Sequence, residues 1–210
     1  ALPICLVRIG DITVPVFATA GLHGDRTTLA DAAALKASTP DSILLDAGGA
    51  LQGTQSASLT GGMDMLSGFS AAGYDLQAMA LDDFAYGTSR LVSDANMGSG
   101  MYTIVERAGY KIGFFALNDT AQAAKISASN GKFITARDWT DTANEQITAL
   151  QNAGCDAIIA VASTAPEGDL QKALLNSGVT AIIDGTTAES SPNVLGAGLG
   201  LDGVAQLNLV

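Results

Sequence analysis

The chain is 210 residues long, enough for one substantial core; 48% of it is apolar and only 5% aromatic. Such a core must be built from Ala, Val, Ile and Leu, and 24 glycines suit the many tight turns of an α/β protein. A net charge of −11 with only ten Lys and Arg argues against nucleic acid or an anionic membrane as partner, because phosphate contacts need a basic surface.

No apolar run approaches the roughly 20 residues of a membrane helix, so no direct membrane insertion is expected. Cys5 and Cys155 permit one disulfide, although small buried thiols in strands are the plainer reading.

In chain order, apolar strands are predicted over 4–9 and 12–18, joined by the turn Gly10-Asp11. A helix over 28–38 follows, with Thr27 or Thr28 as cap and Leu29, Ala32, Ala33 and Leu35 at helical spacing. Pro40 stops it, and 42–46 is a short buried strand that runs into a glycine-rich turn. A second helix over 62–72 carries Met65, Leu66 and Phe69 on one face and ends at Gly73; a strand over 76–81 comes next.

The second half repeats the alternation. Residues 101–106 and 111–117 form a hairpin around Ala108-Gly109-Tyr110. The helix over 140–153 places Ala143, Ile147 and Leu150 at i, i+4 and i+7. A continuous apolar strand over 156–162 reads as covered on both faces. A helix over 166–176, a strand over 179–183, a glycine-rich loop over 196–203 and a closing strand over 203–210 complete the chain. The alternation predicts an α/β class, and no repeat or linker divides residues 1–210, so a single domain is expected.

Two stretches bear on chemistry: Leu44-Leu45-Asp46-Ala47-Gly48-Gly49-Ala50-Leu51-Gln52-Gly53 and Ala80-Leu81-Asp82-Asp83-Phe84-Ala85-Tyr86-Gly87. They resemble "LLDAGDxxQG" and "GNHEFDYG" of the calcineurin-like metallophosphoesterase superfamily, in its secreted 5′-nucleotidase branch. Other landmarks follow in order. Phe17 to Gly24 is similar to the strand-end motif "TNDxHG", Gly73-Tyr74-Asp75 to a helix ending "lGYD", and 102–114 to the branch's hairpin.

The resemblance implies a four-layer α/β/β/α sandwich with its active site at strand ends, where loops from both halves converge. It implies two divalent metals about 3.5–4 Å apart, held by carboxylates, imidazoles and one amide, that clamp a phosphate and activate a hydroxide. It also implies an extracellular, periplasmic or cell-surface setting. In the branch a separate C-terminal domain holds the base, so the chain is expected to be the N-terminal domain of a longer protein or a free-standing remnant.

Carried over residue by residue, most ligands are missing. The first motif's Asp falls on Gly21, while its His is kept as His23; the bridging Asp falls on Gly49. The Asn becomes Leu81, the transition-state His becomes Asp82, and that His's Asp partner becomes Ala85. The later "SH" ligand falls on Thr164, and the final "GHxH" stretch reads Gly185-Thr186-Thr187-Ala188. The chain holds one histidine in total, so no realignment can supply the missing imidazoles.

The implied cofactors are therefore not expected here, and two functions stay open. One is a catalytically inactive 5′-nucleotidase-like domain that serves as a binding or structural module for an unknown protein or small-molecule partner. The other is a residual metal-dependent phosphohydrolase whose site is rebuilt from His23, Asp46, Asp82, Asp83 and Asp184. Adjacent strand residues point to opposite faces, so Asp82 and Asp83 converge only if the strand has ended before them. His23 alone would bind a divalent ion weakly; a loop histidine hydrogen-bonded to a neighbour is the plainer reading. Phe84 and Tyr86 read as core.

Overall fold

The structure, a computed structural model, describes residues 5–9, 11–86, 102–117, 138–162, 169–185, 193–195, 198–199 and 205–209. Two sheets form. The first has six strands in the order β10-β11-β1-β2-β3-β4: β1 Cys5–Ile9, β2 Ile12–Thr19, β3 Ile43–Asp46, β4 Leu76–Gln77, β10 Gly198–Leu199 and β11 Ala205–Leu209. The second has five in the order β5-β6-β7-β8-β9: β5 Tyr102–Arg107, β6 Tyr110–Leu117, β7 Ala157–Ala162, β8 Ala181–Asp184 and β9 Asn193–Leu195.

Strand alternation sorts the side chains into three apolar layers. Val14, Val16, Ile43 and Leu45 from the first sheet meet Ile112, Phe114, Ile159, Val161 and Ile183 from the second in one central core. Phe17 and Leu44 point the other way, under helices α1 (Arg26–Ser38) and α3 (Met63–Ala72). Ile158, Ala160 and Ile182 pack outward on Ala143, Ile147 and Leu150 of α4 (Trp139–Asn152) and Leu174 of α5 (Asp169–Asn176). The layers are helices, sheet, sheet, helices. The chain thus has the expected four-layer sandwich, and its β2–β3, β3–β4, β6–β7 and β7–β8 pairs are parallel, as helical crossovers require.

Several elements differ from expectation for local reasons. Helix α1 starts at Arg26, because Asp25 is the cap: its carboxylate accepts from the Thr27 amide at 2.8 Å and the Thr28 hydroxyl at 2.9 Å. Neither threonine caps it. A short helix, α2 (Gln55–Thr60), precedes α3, capped by Thr54 Oγ1 on the Ala57 amide. It went unpredicted because six residues with one buried side chain, Ala57, leave no periodic stripe. The strand expected over 76–81 stops at Gln77, and a 3₁₀ helix, Leu81–Tyr86, follows it. Part of the glycine-rich 196–203 pairs as β10, since a strand two residues long has no side-chain pattern to read. Cys155 lies before β7 rather than in it, and its half-buried thiol is free.

Candidate functional site at the strand ends

In the parallel β2–β3 pair, Thr19 lies opposite Asp46, so the two chains leave the sheet side by side. Their loops stay paired: Ala47 N donates to Thr19 O at 2.7 Å, Gly21 N to Gly48 O at 2.8 Å, His23 N to Gly49 O at 3.0 Å and Gly24 N to Ala50 O at 2.9 Å. The segment after β4 joins them through Ala78 N, which donates to Asp46 O at 2.7 Å. The second sheet arrives from the other side. A Cβ placed on Gly185, just past β8, would lie 2.8 Å from Ala47 Cβ. Strand ends of both halves therefore converge here.

The backbone fills the middle of this convergence. Gly49 has φ 78°, and a Cβ on it would sit 3.2 Å from Gly21 Cα. Gly48 has φ 101°, and its Cβ would lie 2.6 Å from Ala80 N. The positive φ favours glycine at both, and at Gly48 there is also no room for a side chain.

Two buried carboxylates flank the turn. Asp46 accepts from Thr19 Oγ1 at 2.5 Å and from Gly48 N at 2.9 Å. The Tyr74 hydroxyl lies 3.1 Å from Thr19 Oγ1, and either of the two hydroxyls can donate. Burial pushes Asp46 well above the usual carboxylate range; the Thr19 hydrogen bond opposes this and the nearby Asp83 charge adds to it. Burial likewise raises the Tyr74 phenol, which keeps its proton.

Asp83 is 2% exposed and accepts from three backbone amides, those of Gly49, Leu51 and Ala80, each at 2.8 Å. Burial pushes its pKa up, while the Leu51, Gly49 and Ala80 amides pull it down.

The residues singled out from sequence are placed as follows. Gly21, His23 and Gly49 come together, and His23 Nε2 would be 3.6 Å from a Cβ on Gly21. His23 is exposed and adopts φ 47°. Leu81 and Asp82 open the 3₁₀ helix. With the strand already ended, Asp82 is exposed while Asp83 turns inward. Asp184 is buried at the end of β8. Among the described residues no three His, Cys, Asp or Glu side chains are grouped so as to hold a metal ion. Thr164, Thr186 and Ala188 lie outside the described residues. Phe84 packs against the outer core as expected, but Tyr86 is 40% exposed and its hydroxyl meets Ser58 Oγ.

The Asp46–Thr19–Tyr74 chain and the inward turn of Asp83 were not foreseen. Asp46-Ala47-Gly48 did carry a local signal, since an Asp that accepts from the amide two residues on is a common turn device. The described donors do not fit two cations. Gly21 and Gly49 offer no ligand atoms, and the oxygens of Asp46 and Asp83 are engaged by O–H and N–H groups.

The architecture and the convergent strand ends define the fold of the calcineurin-like phosphoesterases. Among solved structures, the calcineurin-like phosphoesterase YfkN from Bacillus subtilis is similar at a TM-score of 0.60 and 20% identity, over 86% of this chain and 70% of that one. Haemophilus influenzae NAD nucleotidase (NadN) is similar at 0.55 and 18%, over 83% of this chain and 33% of that one. The 5′-nucleotidase precursor from Thermus thermophilus is similar at 0.52 and 17%, over 75% and 33%. The chain thus spans about a third of both nucleotidases. Compared by sequence, it matches no family model and no curated protein.

Proposed function

We propose that the chain is a non-catalytic domain of calcineurin-like phosphoesterase fold, a 5′-nucleotidase-like module that binds a small molecule or a protein and works outside the cytoplasm. One observation carries this reading. At Gly49, where the resemblance requires the carboxylate that bridges two cations, the loop is a left-handed turn without a side chain, whose carbonyl accepts from His23 N. A bridging carboxylate offsets the repulsion between two cations, and Gly49 carries none. The setting follows from the resemblance alone; among the described residues no helix is long and apolar enough to cross a membrane.

A second reading, residual metal-dependent phosphohydrolysis, draws on the buried Asp46 and Asp83, which lie close enough for one charge to act on the other. One experiment separates the two. Protein loaded with Mn²⁺, Co²⁺, Mg²⁺ or Ca²⁺ and desalted is measured by elemental analysis, and assayed with an aryl phosphate and a nucleoside monophosphate. Substoichiometric metal with background hydrolysis supports the non-catalytic reading. About two metals per chain with turnover refutes it in favour of a rebuilt site.

A further inference from the structure

We infer that the turn after β3 is a backbone anion pocket whose built-in ligand is the Asp83 side chain, so that a carboxylate organises the loops at the strand ends. Asp83 Oδ2 takes the Gly49 and Ala80 amides and Oδ1 takes the Leu51 amide, all at 2.8 Å. The donors come from two segments some thirty residues apart in sequence, the turn after β3 and the residue before the 3₁₀ helix. They aim at one point because Gly48 and Gly49 both adopt left-handed backbone, which turns successive N–H groups to one side of the chain.

The side chain they hold is almost wholly buried, and no Lys, Arg or His of the described residues pairs with it; the ion pairs described there belong to Asp75. The counter-charge for Asp83 is therefore the positive end of three peptide dipoles. Those dipoles repel a cation at the same point, and only Oδ1, with one amide on it, keeps a free lone pair. The centre is matched to a small carboxylate in size, planarity and sign. This stands apart from the non-catalytic reading, because it concerns what holds the loops together rather than turnover.

Asp83→Ala empties the pocket and leaves its donors in place, so formate or acetate from solution should refill it. Thermal unfolding of Asp83→Ala and wild type is followed in sodium formate and in sodium chloride of equal ionic strength. Formate should raise the Tm of the variant by about 3 °C or more beyond any change in wild type, a rise expected from selective binding to the folded state. An equal response in the two proteins overturns the inference, and leaves the reading of function untouched. Should Asp83→Ala fail to fold, amide exchange and Mn²⁺ titration of the wild type by NMR decide the matter. Protected Gly49, Leu51 and Ala80 amides without selective Mn²⁺ broadening support the pocket. Fast exchange at these amides, or broadening centred on them, overturns it.

Discussion

Asp75 joins the two halves of the molecule, and its neutralisation tests how far. It lies between α3 and β4. Its Oδ2 accepts from Lys36 Nζ of α1 and from Leu44 N of β3, both at 2.9 Å, and its Oδ1 takes Arg107 Nη2 at the end of β5. Arg107 Nε also donates to Ser42 O at 3.2 Å, so the guanidinium fastens the second sheet to the first. The side chains are only 16–21% exposed, between a surface pair and a buried one. Asp75→Asn keeps the shape but leaves two neighbouring cations facing an amide. Fully buried pairs broken on one side cost about 3–5 kcal/mol and exposed ones less than about 1, so a loss of about 2–3 kcal/mol is expected here. For a domain of this size that lowers Tm by roughly 4–12 °C. Arg107→Met removes one of two cations, leaves Lys36 to neutralise Asp75, and should cost about 1 kcal/mol. Urea and thermal unfolding of both variants measure the difference. If Asp75→Asn melts within about 1 °C of wild type, or Arg107→Met proves the worse of the two, Asp75 is not the joint described here.

Other outcomes follow from local geometry. Ala108 holds φ 52° in the two-residue turn between β5 and β6, a position that suits Asn, so Ala108→Asn should raise stability by about 0.5–1 kcal/mol in urea unfolding. A methyl group at Gly113 would lie 2.7 Å from Leu150 Cδ2 and 3.1 Å from Cys155 Sγ, so Gly113→Ala should destabilise by about 1–3 kcal/mol, read the same way. Asp46 keeps its proton more tightly folded than unfolded, so its contribution is complete below the ordinary carboxylate pKa of about 3.8 and is lost as pH rises through the raised folded value. Asp46→Asn should flatten that decline in a stability–pH series. Asp25, held low by the Thr27 amide and Thr28 hydroxyl at the α1 cap, acts oppositely, with stability present above its unfolded pKa and lost as pH falls.

The layers were legible in the sequence because each strand carries its own period. Ile43 and Leu45 against Leu44, or Ile159 and Val161 against Ile158 and Ala160, announce strands covered on both sides, and the helices between them fix the α/β class. Short elements were not legible: α2 and β10 have too few side chains to show a period, and the end of β4 depends on what its neighbour offers. Within the site, the replaced positions could be named from motifs, since Gly21, Gly49 and Leu81 visibly lack ligand atoms. What stands in their place could not. Whether Asp83 faces solvent or three amides depends on where a strand stops, and on a turn whose donors lie some thirty residues away.

That distinction bears on what a change from ligand to glycine does. Two cations about 3.5–4 Å apart need an opening between the loops that carry their ligands. Here the loops after β2 and β3 are zipped by amide–carbonyl bonds from Ala47 to Gly24, and the glycines let their backbones meet. The central core takes in Ala20, Ala47 and Ala78 and an outer one Leu22, Ala50 and Leu51, so the closed loops are packed as part of the sandwich. Glycine at 21 and 49 therefore does more than remove oxygen atoms: it supplies the positive φ, 58° and 78°, that side chains rarely adopt. A Cβ returned to position 49 would sit 3.2 Å from Gly21 Cα, a contact that a shift of a few tenths of an ångström relieves, but at a φ of 78° that costs any side chain strain.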